Sequence, residues 1–492
     1  MKNILIKTLS LIIAFLVIFS SPMQIFASDG RTPFLNYTFD HWGNEMPSPA
    51  AYVPVRSIGG RDISSEVGDF RAPEDLAVDI YGNIYLLDTG NNRVVVFDTD
   101  LRLIRVIEGF YRDGIAQTFS SPNGIFVTEN LDVFIADTGN NRVVALNQND
   151  ELLKVIENPE DETIEAGFIF LPLSVTVDRA GRVYVIARNV YEGIMSFSPD
   201  GEFFGYFGTI NVRYTLLDWF WRQFSTQAQR AQQRLFIPME FSGMDIDDAG
   251  FIFATIADKG FDDGVMRLNP SGDDVLRNFT PHVVGGDINR LPTVLSPSVF
   301  IDIVVREGGK YSVLDSTRRR VFTYDSEGNL LYIVGGTGNT MGMGQQPSAV
   351  EALGNDLLIL DRLRGEIVHF EETMYGQLIN SAILARYSGD EAGAVEKWRS
   401  VLALNENYAL ANIGIGRSLL AAGENRLAMD YLRRGMDVRH YAIAVRRYRS
   451  EVLEENIGYG LTIVLILGAG GFSYRIHKGR KNAKHVAKRK GA

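Results

Sequence analysis

Between residues 70 and 372 the chain alternates short apolar runs with turns rich in glycine, asparagine and aspartate. Runs such as Ile84–Leu87 and Leu357–Leu360 have the length of β-strands, and the turns between them have the composition of hairpins. From Tyr375 onward the apolar positions recur with helical spacing instead. The pattern therefore predicts a β domain followed by α-helices.

The β region repeats itself. The segment Asp88–Val95 returns as Asp137–Val144 forty-nine residues later. A period near fifty with strand content indicates units that bury their faces only against neighbouring units, which predicts a β-propeller. Six units can be aligned, and they begin at Phe70, Phe119, Leu171, Phe241, Leu295 and Pro347.

The sixth unit lacks a fourth strand, because the chain turns helical after Phe370. Near the N-terminus, Val53–Gly60 resembles the fourth strand of the fifth unit, Leu331–Gly336. We expect this N-terminal strand to complete the last blade and close the ring, because closure removes open sheet edges. The predicted propeller covers residues 52–374.

Each copy of the repeated turn contains an aspartate, an asparagine and an arginine: Asp88, Asn92 and Arg93, then Asp137, Asn141 and Arg142. The structural interpretation is that the aspartates accept hydrogen bonds from their own turns, while the arginines pack along the strands. The order of proline, strand, aspartate and Asn-Arg turn resembles the NHL repeat, although units three and four lack the Asn-Arg turn. This resemblance implies a six-bladed propeller, and it is specific for fold and not for activity.

The helical region also carries a repeat. Gly389-Asp390 recurs as Gly423-Glu424, thirty-four residues later, and Trp398 recurs as Leu432. This interval resembles the tetratricopeptide (TPR) repeat, in which a small residue such as Gly416 packs between two helices. The resemblance implies TPR-like helices with a final capping helix over residues 375–456.

Both ends of the chain carry targeting signals. Residues 1–27 combine two lysines, an apolar run and a small residue at Ala27, as a cleaved signal peptide does, with an uncleaved anchor helix as the alternative. Residues 457–474 lack charge and are followed by a tail, 475–492, with eight positive charges. This pattern predicts one transmembrane helix and a cytoplasmic tail. The linker 28–51, the propeller and the helices would then be extracellular, on a cell-membrane protein.

Composition narrows the chemistry. The chain has 492 residues and no cysteine, which excludes disulfides, thiolate zinc sites and thiol catalysis. The formal charge is −11, and residues 28–474 alone carry −21. Because an acidic exterior repels phosphate backbones, we expect no nucleic-acid partner.

A propeller enzyme would place its site at the channel mouth, next to the residue after each blade-start proline or its equivalent. Those positions are Glu74, Asn123, Leu173, Ser242, Ser298 and Ser348. Only Glu74 and Asn123 could bind a divalent cation, and two ligands are too few for a convincing site. No histidine pair or Ser–His–acid arrangement is evident in the spacing. We therefore predict no cofactor and no catalytic residues, and a cation in the channel stays open as an alternative.

One link between blades is unusually long. Residues 211–237 contain Trp219, Phe220, Trp221 and Phe224, followed by a polar stretch. We expect an inserted helical segment, which either covers the channel mouth or contacts a partner or the membrane.

Together these features favour a membrane-anchored, extracellular scaffold that binds other envelope or membrane proteins, such as a transporter. Two alternatives remain: a metal-dependent propeller hydrolase or lyase, and a receptor for a small extracellular ligand such as a sugar.

Overall fold

The computed structural model describes residues 32–164, 167–208, 240–257, 264–276, 285–287 and 297–490. Most of the β-strands form six antiparallel sheets arranged as the blades of a propeller. The innermost strands of successive blades contact one another in turn, and the sixth contacts the first. The prediction of a six-bladed propeller is therefore confirmed.

The first three blades each have four strands in chain order. Blade 1 consists of Asp75–Val78, Ile84–Asp88, Arg93–Phe97 and Leu103–Ile107. Blade 2 consists of Gly124–Val127, Val133–Asp137, Arg142–Leu146 and Leu152–Ile156. Blade 3 consists of Pro172–Val177, Val183–Ala187, Ile194–Phe197 and Phe203–Phe207.

Within the described residues, blade 4 has three strands: Phe241–Ile246, Ile252–Ile256 and Val265–Leu268. Blade 5 consists of Phe300–Arg306, Lys310–Asp315, Arg320–Tyr324 and Leu330–Gly335. Blade 6 consists of Pro347–Leu353, Asp356–Asp361, Glu366–Glu372 and, from the N-terminal side, Tyr52–Gly59.

The N-terminal strand closes the ring. Tyr52–Gly59 pairs antiparallel with Glu366–Glu372, with Ile58 opposite Ile367 and Tyr52 opposite Glu372. The predicted closing strand is thus confirmed, with bounds one residue earlier than expected. The pairing covers an edge that blade 6 would otherwise expose.

Blades adhere through apolar side chains on facing strands. Between blades 1 and 2, Ala77, Leu87, Ile125 and Ile135 are all buried in one cluster. Alternate residues of a strand point to opposite faces, so each blade contributes to the cluster on either side of it. Two further hairpins, Tyr37–Phe39 with Glu45–Pro47 and Gly109–Arg112 with Ile115–Thr118, lie outside the blades. The described part of the propeller also contains a short helix, α1 (Gly60–Ile63), and three 3₁₀ turns, Thr89–Asn91, Thr138–Asn140 and Glu307–Gly309.

Five helices follow the propeller: α2 (Met374–Tyr387), α3 (Glu391–Leu404), α4 (Ala409–Ala421), α5 (Asn425–Arg434) and α6 (Val438–Lys490). Each helix packs against the next. The side chain of Asp390 accepts a hydrogen bond from Gly393 N at 2.9 Å and so caps α3. A Cβ atom added to Gly416 would lie 2.6 Å from Leu432 Cγ, so α4 and α5 approach closely at this glycine.

The propeller and the first helices share one hydrophobic core. Trp398 and Tyr408 are fully buried in the same cluster as Leu314, Leu331 and Phe370 of the propeller. The Tyr408 hydroxyl donates a hydrogen bond to the Leu331 carbonyl oxygen at 2.8 Å. The helices are therefore packed on the propeller and not merely tethered to it.

The last helix continues beyond this core. Among the described residues, α6 is the one helix long and apolar enough to cross a membrane. Its apolar residues from Ile457 to Ile476 are exposed, and none of the most apolar stretch is covered by protein. An apolar helix exposed all round is typical of a membrane span.

Candidate functional site

The repeated turns use their polar residues to hold the blades together. In blade 1, Asp88 is completely buried and accepts hydrogen bonds from Arg71 N (2.7 Å), Asn91 Nδ2 (2.8 Å) and Arg93 Nε (2.8 Å). Arg93 also donates to the Val67 carbonyl oxygen at 2.6 Å. All of these partners belong to the protein, so the carboxylate of Asp88 stabilises the loop that enters its own blade.

Blade 2 repeats this arrangement. Asp137 is buried and accepts from Ser120 N (2.7 Å), Asn140 Nδ2 (2.9 Å) and Arg142 Nε (2.8 Å). The Arg142 guanidinium also lies 5.0 Å from the centre of the Phe110 ring, within the range of a cation–π contact. The recurrence of the network explains why the two sequence segments are nearly identical.

The same turns link one blade to the next. Asn92 and Asn141 adopt left-handed backbone conformations, with φ of 54° and 59°, which asparagine tolerates better than most residues. Asn92 Oδ1 accepts a hydrogen bond from Ser121 N at 2.7 Å, and Thr89 Oγ1 donates to the Pro122 carbonyl oxygen at 2.7 Å. Both contacts join blade 1 to the entry of blade 2.

The residues considered at the channel mouth are paired with neighbouring protein groups. Glu74 Oε1 lies 2.7 Å from Arg362 Nη1 of blade 6. Burial raises the pKa of Glu74, and the charge of Arg362 opposes that shift. Asn123 Nδ2 donates to Thr138 Oγ1 at 3.0 Å. The Glu74 carboxylate is thus held by an arginine of blade 6, and the Asn123 amide is held by a hydroxyl of its own blade.

The other mouth positions are also engaged by protein groups, and the contacts of Ser242 and Ser348 bridge two blades whereas that of Ser298 lies within blade 5. Ser242 Oγ donates to the Phe300 carbonyl oxygen at 2.9 Å, and Ser348 Oγ donates to that of Pro73 at 3.1 Å. Ser298 Oγ donates to Asp315 Oδ2 at 2.9 Å. Leu173 contributes its main chain, which lies so close to Gly124 that an added Cβ would be 2.5 Å from its carbonyl oxygen.

The structure reveals a set of acidic residues that the sequence analysis did not identify. Asp75, Asp245, Asp302 and Glu351 all lie on the innermost strands, in blades 1, 4, 5 and 6. All four side chains are partly exposed even though these strands are enclosed by the rest of the propeller. They therefore line one side of the central channel.

Three of these carboxylates bond to the neighbouring blade. Asp75 Oδ2 accepts a hydrogen bond from Ile125 N at 2.8 Å. Asp245 Oδ2 accepts one from Val305 N, and Asp302 Oδ2 accepts one from Val350 N, both at 2.7 Å. The innermost strand of each blade has a strand on one side only, so the N–H groups on its free edge need other acceptors. The aspartates supply them and connect consecutive blades at the channel wall.

Enclosure and mutual repulsion change the acidity of these groups. Burial, together with nearby acids, raises the pKa of Asp75 to about 7 and that of Asp245 to about 6. The pKa values of Asp302 and Glu351 are also raised well above their ordinary range, by burial and then by the other channel carboxylates. The channel can therefore hold protons near neutral pH.

The described residues contain no group of three or more histidine, aspartate or glutamate side chains arranged to hold a metal ion. The histidine of blade 6, His369, has its Nε2 atom 2.9 Å from Asp356 Oδ2, in a pair. Asp75, Asp245 and Asp302 of the channel act as acceptors for backbone N–H groups.

A second polar network lies between the propeller and the helices. Arg306 is buried and donates to Tyr332 Oη at 3.1 Å, to Tyr52 Oη at 2.7 Å and to the Asn355 carbonyl oxygen at 2.5 Å. Asn380 of α2 donates to Tyr52 Oη at 3.1 Å and accepts from Tyr332 Oη at 2.9 Å. The network joins blades 5 and 6, the closing strand and α2.

The long insertion, residues 211–237, lies outside the described residues, and so do Trp219, Phe220, Trp221 and Phe224. The signal segment 1–27 lies outside them as well. Their roles stay predictions.

No protein-family model matches the chain, and no curated protein sequence matches it. Solved structures that resemble it include propellers of the virginiamycin B lyase and gluconolactonase type. A virginiamycin B lyase from Staphylococcus aureus is 9% identical, with 65% of this chain and 99% of that chain covered and a TM-score of 0.40. A gluconolactonase-like protein is 13% identical over 69% of this chain and 98% of its own, also with a TM-score of 0.40. These similarities concern the fold and say nothing about the function of this chain.

Proposed function

We propose that this chain is a single-pass membrane protein whose extracellular propeller and TPR-like helices bind other membrane or envelope proteins. The observation that carries the proposal is the geometry of α6. Its first part packs on the helical region, and its second part presents exposed apolar side chains on every side.

The packed part of α6 ends close to the apolar part. Arg447 Nη1 donates to the Leu420 carbonyl oxygen at 3.1 Å, and Glu451 accepts a hydrogen bond from Asn425. The apolar stretch begins at Ile457, six residues later. At 1.5 Å per residue this is only about 9 Å of helix. The helical region would therefore sit directly above the membrane, and a continuous helix would hold the propeller in a defined orientation.

The charges that flank the apolar stretch support the orientation. Arg475, Lys478 and Arg480 follow it, and residues 475–492 contain no acid. Positive residues beside a span favour the cytoplasmic side, so the propeller would lie outside the cell. The predicted signal peptide, residues 1–27, would give the same orientation whether or not it is cleaved.

The engaged mouth residues favour a binding role over a catalytic one. Glu74 and Asn123 pair with protein groups, and the turn carboxylates are satisfied within their blades. The propeller and the helices present broad surfaces for protein contacts, as NHL-type and TPR-type repeats do. Residues 211–237, with Trp219 and Trp221, are the proposed partner contact, because aromatic anchors dominate many interfaces.

Crosslinking on intact cells, followed by protease treatment, tests the proposal. External protease should degrade the propeller and leave a small C-terminal fragment in the membrane. Crosslinking should recover specific membrane or envelope proteins, and the Trp219→Ala/Trp221→Ala variant should lose them while the chain still folds. A propeller protected from external protease would refute the orientation, and crosslinked partners that persist in the variant would refute the contact.

Metal analysis of the purified full chain tests the enzymatic alternative. A hydrolase or lyase of this class would need a cation in the channel, held with the help of Glu74 and Asn123. Bound metal at one ion per chain, lost on Glu74→Ala, would replace the scaffold proposal by that alternative.

A further inference from the structure

A concave site lies between the N-terminal segment and blade 5, and none of the channel carboxylates lines it. The cavity has a volume of about 700 Å³. Its polar side is the turn Thr317–Arg320, which joins the second and third strands of blade 5, and its apolar side includes Phe34, Leu35, Phe39 and Met343. The site combines a cationic turn with an apolar wall.

Three arginines line this cavity against two acids, Asp287 and Glu45, so the formal charge of its lining is +1. Arg318, Arg319 and Arg320 are consecutive, and all three line it. Asp287 pairs with two of them, through Oδ2 at 3.1 Å from Arg318 Nε and 2.9 Å from Arg320 Nη1. In the part of the chain that the structure describes, no carboxylate pairs with Arg319. Asp287 can compensate only one of the two guanidinium charges that it contacts.

Within the described residues, two donors in the cluster lack an acceptor. Arg318 Nη1 and Arg320 Nε are buried and make no hydrogen bond. The Arg318 side chain is only 11% exposed, so water has little access to it. Buried charged donors without partners are costly, and an anionic ligand in the adjoining cavity would offset their positive charge.

Comparison with the other blades shows that the turn does not require these arginines. Counted from the strand-ending aspartate, Arg318 and Arg319 occupy the positions of Asn91 and Asn92 in blade 1. Arg319 keeps the left-handed conformation of that position, with φ of 59°. Asparagine adopts this conformation at lower cost than arginine. Blade 5 therefore carries two extra cations at positions where blades 1 and 2 form the same turn with asparagine.

Arginine at the end of the turn also has a different partner in blade 5. Arg93 of blade 1 bonds to Asp88 of its own turn, whereas the corresponding Arg320 bonds to Asp287 and to Tyr37 of the N-terminal hairpin. The guanidinium groups of blade 5 are thus directed to the cavity side of the turn, where the hairpin covers them.

We propose that this cavity binds a small organic oxyanion, a carboxylate or a phosphate attached to an apolar body. The guanidinium groups of Arg318 and Arg319 would bind the oxyanion, because their planar forks match carboxylate and phosphate oxygens. Phe34, Leu35 and Phe39 would contact the apolar body, as in most small-molecule sites.

Isothermal titration of the detergent-solubilised full chain tests the proposal with three probes: phenyl phosphate, benzoate and inorganic phosphate. We expect saturable binding of at least one aromatic probe, tighter than inorganic phosphate and weaker at high salt. Tighter binding of phenyl phosphate identifies a phosphate ligand, and tighter binding of benzoate identifies a carboxylate.

The variant Arg319→Asn installs the residue that blades 1 and 2 use at this position. It should keep or raise the melting temperature and weaken binding of the aromatic probe by about tenfold or more, the factor expected when a charged hydrogen bond is lost. Arg318→Asn should weaken binding as well. Arg179→Gln is the matched control, because Arg179 is 63% exposed and lies in the turn between the first and second strands of blade 3, at the other end of the blades.

Three results would overturn the proposal. The first is no binding of either aromatic probe at low salt. The second is unchanged affinity in Arg319→Asn, or an equal loss in Arg179→Gln. The third is inorganic phosphate bound as tightly as the tighter of the two aromatic probes, which would indicate an adventitious ion only.

Discussion

Removal of the Arg306 guanidinium should destabilise the propeller and the helical region together. Arg306 is buried and makes three hydrogen bonds, to Tyr52, Tyr332 and Asn355. Its replacement by leucine keeps much of the volume of the side chain and removes every donor. Because Tyr52 and Tyr332 belong to different blades and both bond to Asn380 of α2, the change acts on the whole junction.

The magnitude follows from the three lost contacts. Hydrogen bonds from a charged donor contribute about 1.5–3 kcal/mol each. The loss is at the low end here, since Tyr52 Oη still donates to Asn355 and Tyr332 Oη still donates to Asn380. The leucine variant also avoids the cost of burying a charge. We expect a net loss of about 3–5 kcal/mol, which lowers the melting temperature by roughly 6–15 °C for a domain of this size.

Scanning calorimetry of the full chain in detergent measures this effect. The control is Arg179→Leu, which removes an exposed arginine that lies 2.8 Å from Glu129 and 3.2 Å from Asp248. Exposed ion pairs contribute about 0–1 kcal/mol, so the control should melt within about 2 °C of the native chain. A loss below about 1 kcal/mol in Arg306→Leu would refute the reasoning, because the network would then contribute no more than an exposed ion pair.

Three further changes test other parts of the structure. Deletion of residues 52–59 should prevent cooperative unfolding of the propeller, because blade 6 loses its outer strand. Thermal melting followed by circular dichroism measures this, and an unchanged transition would contradict closure of the ring by this strand. Gly90→Ala should cost about 1–3 kcal/mol in thermal unfolding, since the new Cβ would lie 2.6 Å from the Arg71 carbonyl oxygen, whereas Gly458→Ala, with no atom within 4 Å, should cost nothing. Asp75→Asn should gain stability relative to the native chain as pH rises from 4 to 8. The pKa of Asp75 is raised from 3.8 to about 7 on folding, so between these values the folded chain retains a proton that the unfolded chain has lost. The stability of the native chain therefore falls with rising pH, and that of the variant lacks this dependence. A stability difference between the two chains that does not change with pH would show that this carboxyl is not perturbed.

Local pattern was sufficient for the blades. The run Ile84–Leu87 and its relatives are short, apolar and bounded by turn residues, so their strand character follows from composition alone. The repeated turn identified the period because each copy must form the same local hydrogen bonds, as Asp88 and Asp137 do. The closing strand was recognisable because Val53–Gly60 resembles another fourth strand.

The channel carboxylates could not be recognised in the same way. Glu351 lies within an apolar strand, Pro347–Leu353, and nothing local distinguishes an acid that faces a channel from one that faces solvent. Its pKa is raised by burial and then by the charges of Asp245 and Asp302, which come from other blades. Only closure of the ring places the innermost strands around a common channel, and this arrangement brings the groups together.

The sequence by itself determined the repeating units, their number, the strand that closes the ring, the helices that follow and the apolar segment at the C-terminus. Each of these is visible in short segments of the chain, either from their own periodicity, which reflects which face is buried, or from their likeness to another segment. The tertiary structure alone decided which polar groups meet: Arg306 with Tyr52, 254 positions away, and Arg320 with Tyr37, 283 positions away. Such contacts depend on how the ring closes and how the helices pack on it, because charge and burial at one site are set by side chains from distant parts of the chain.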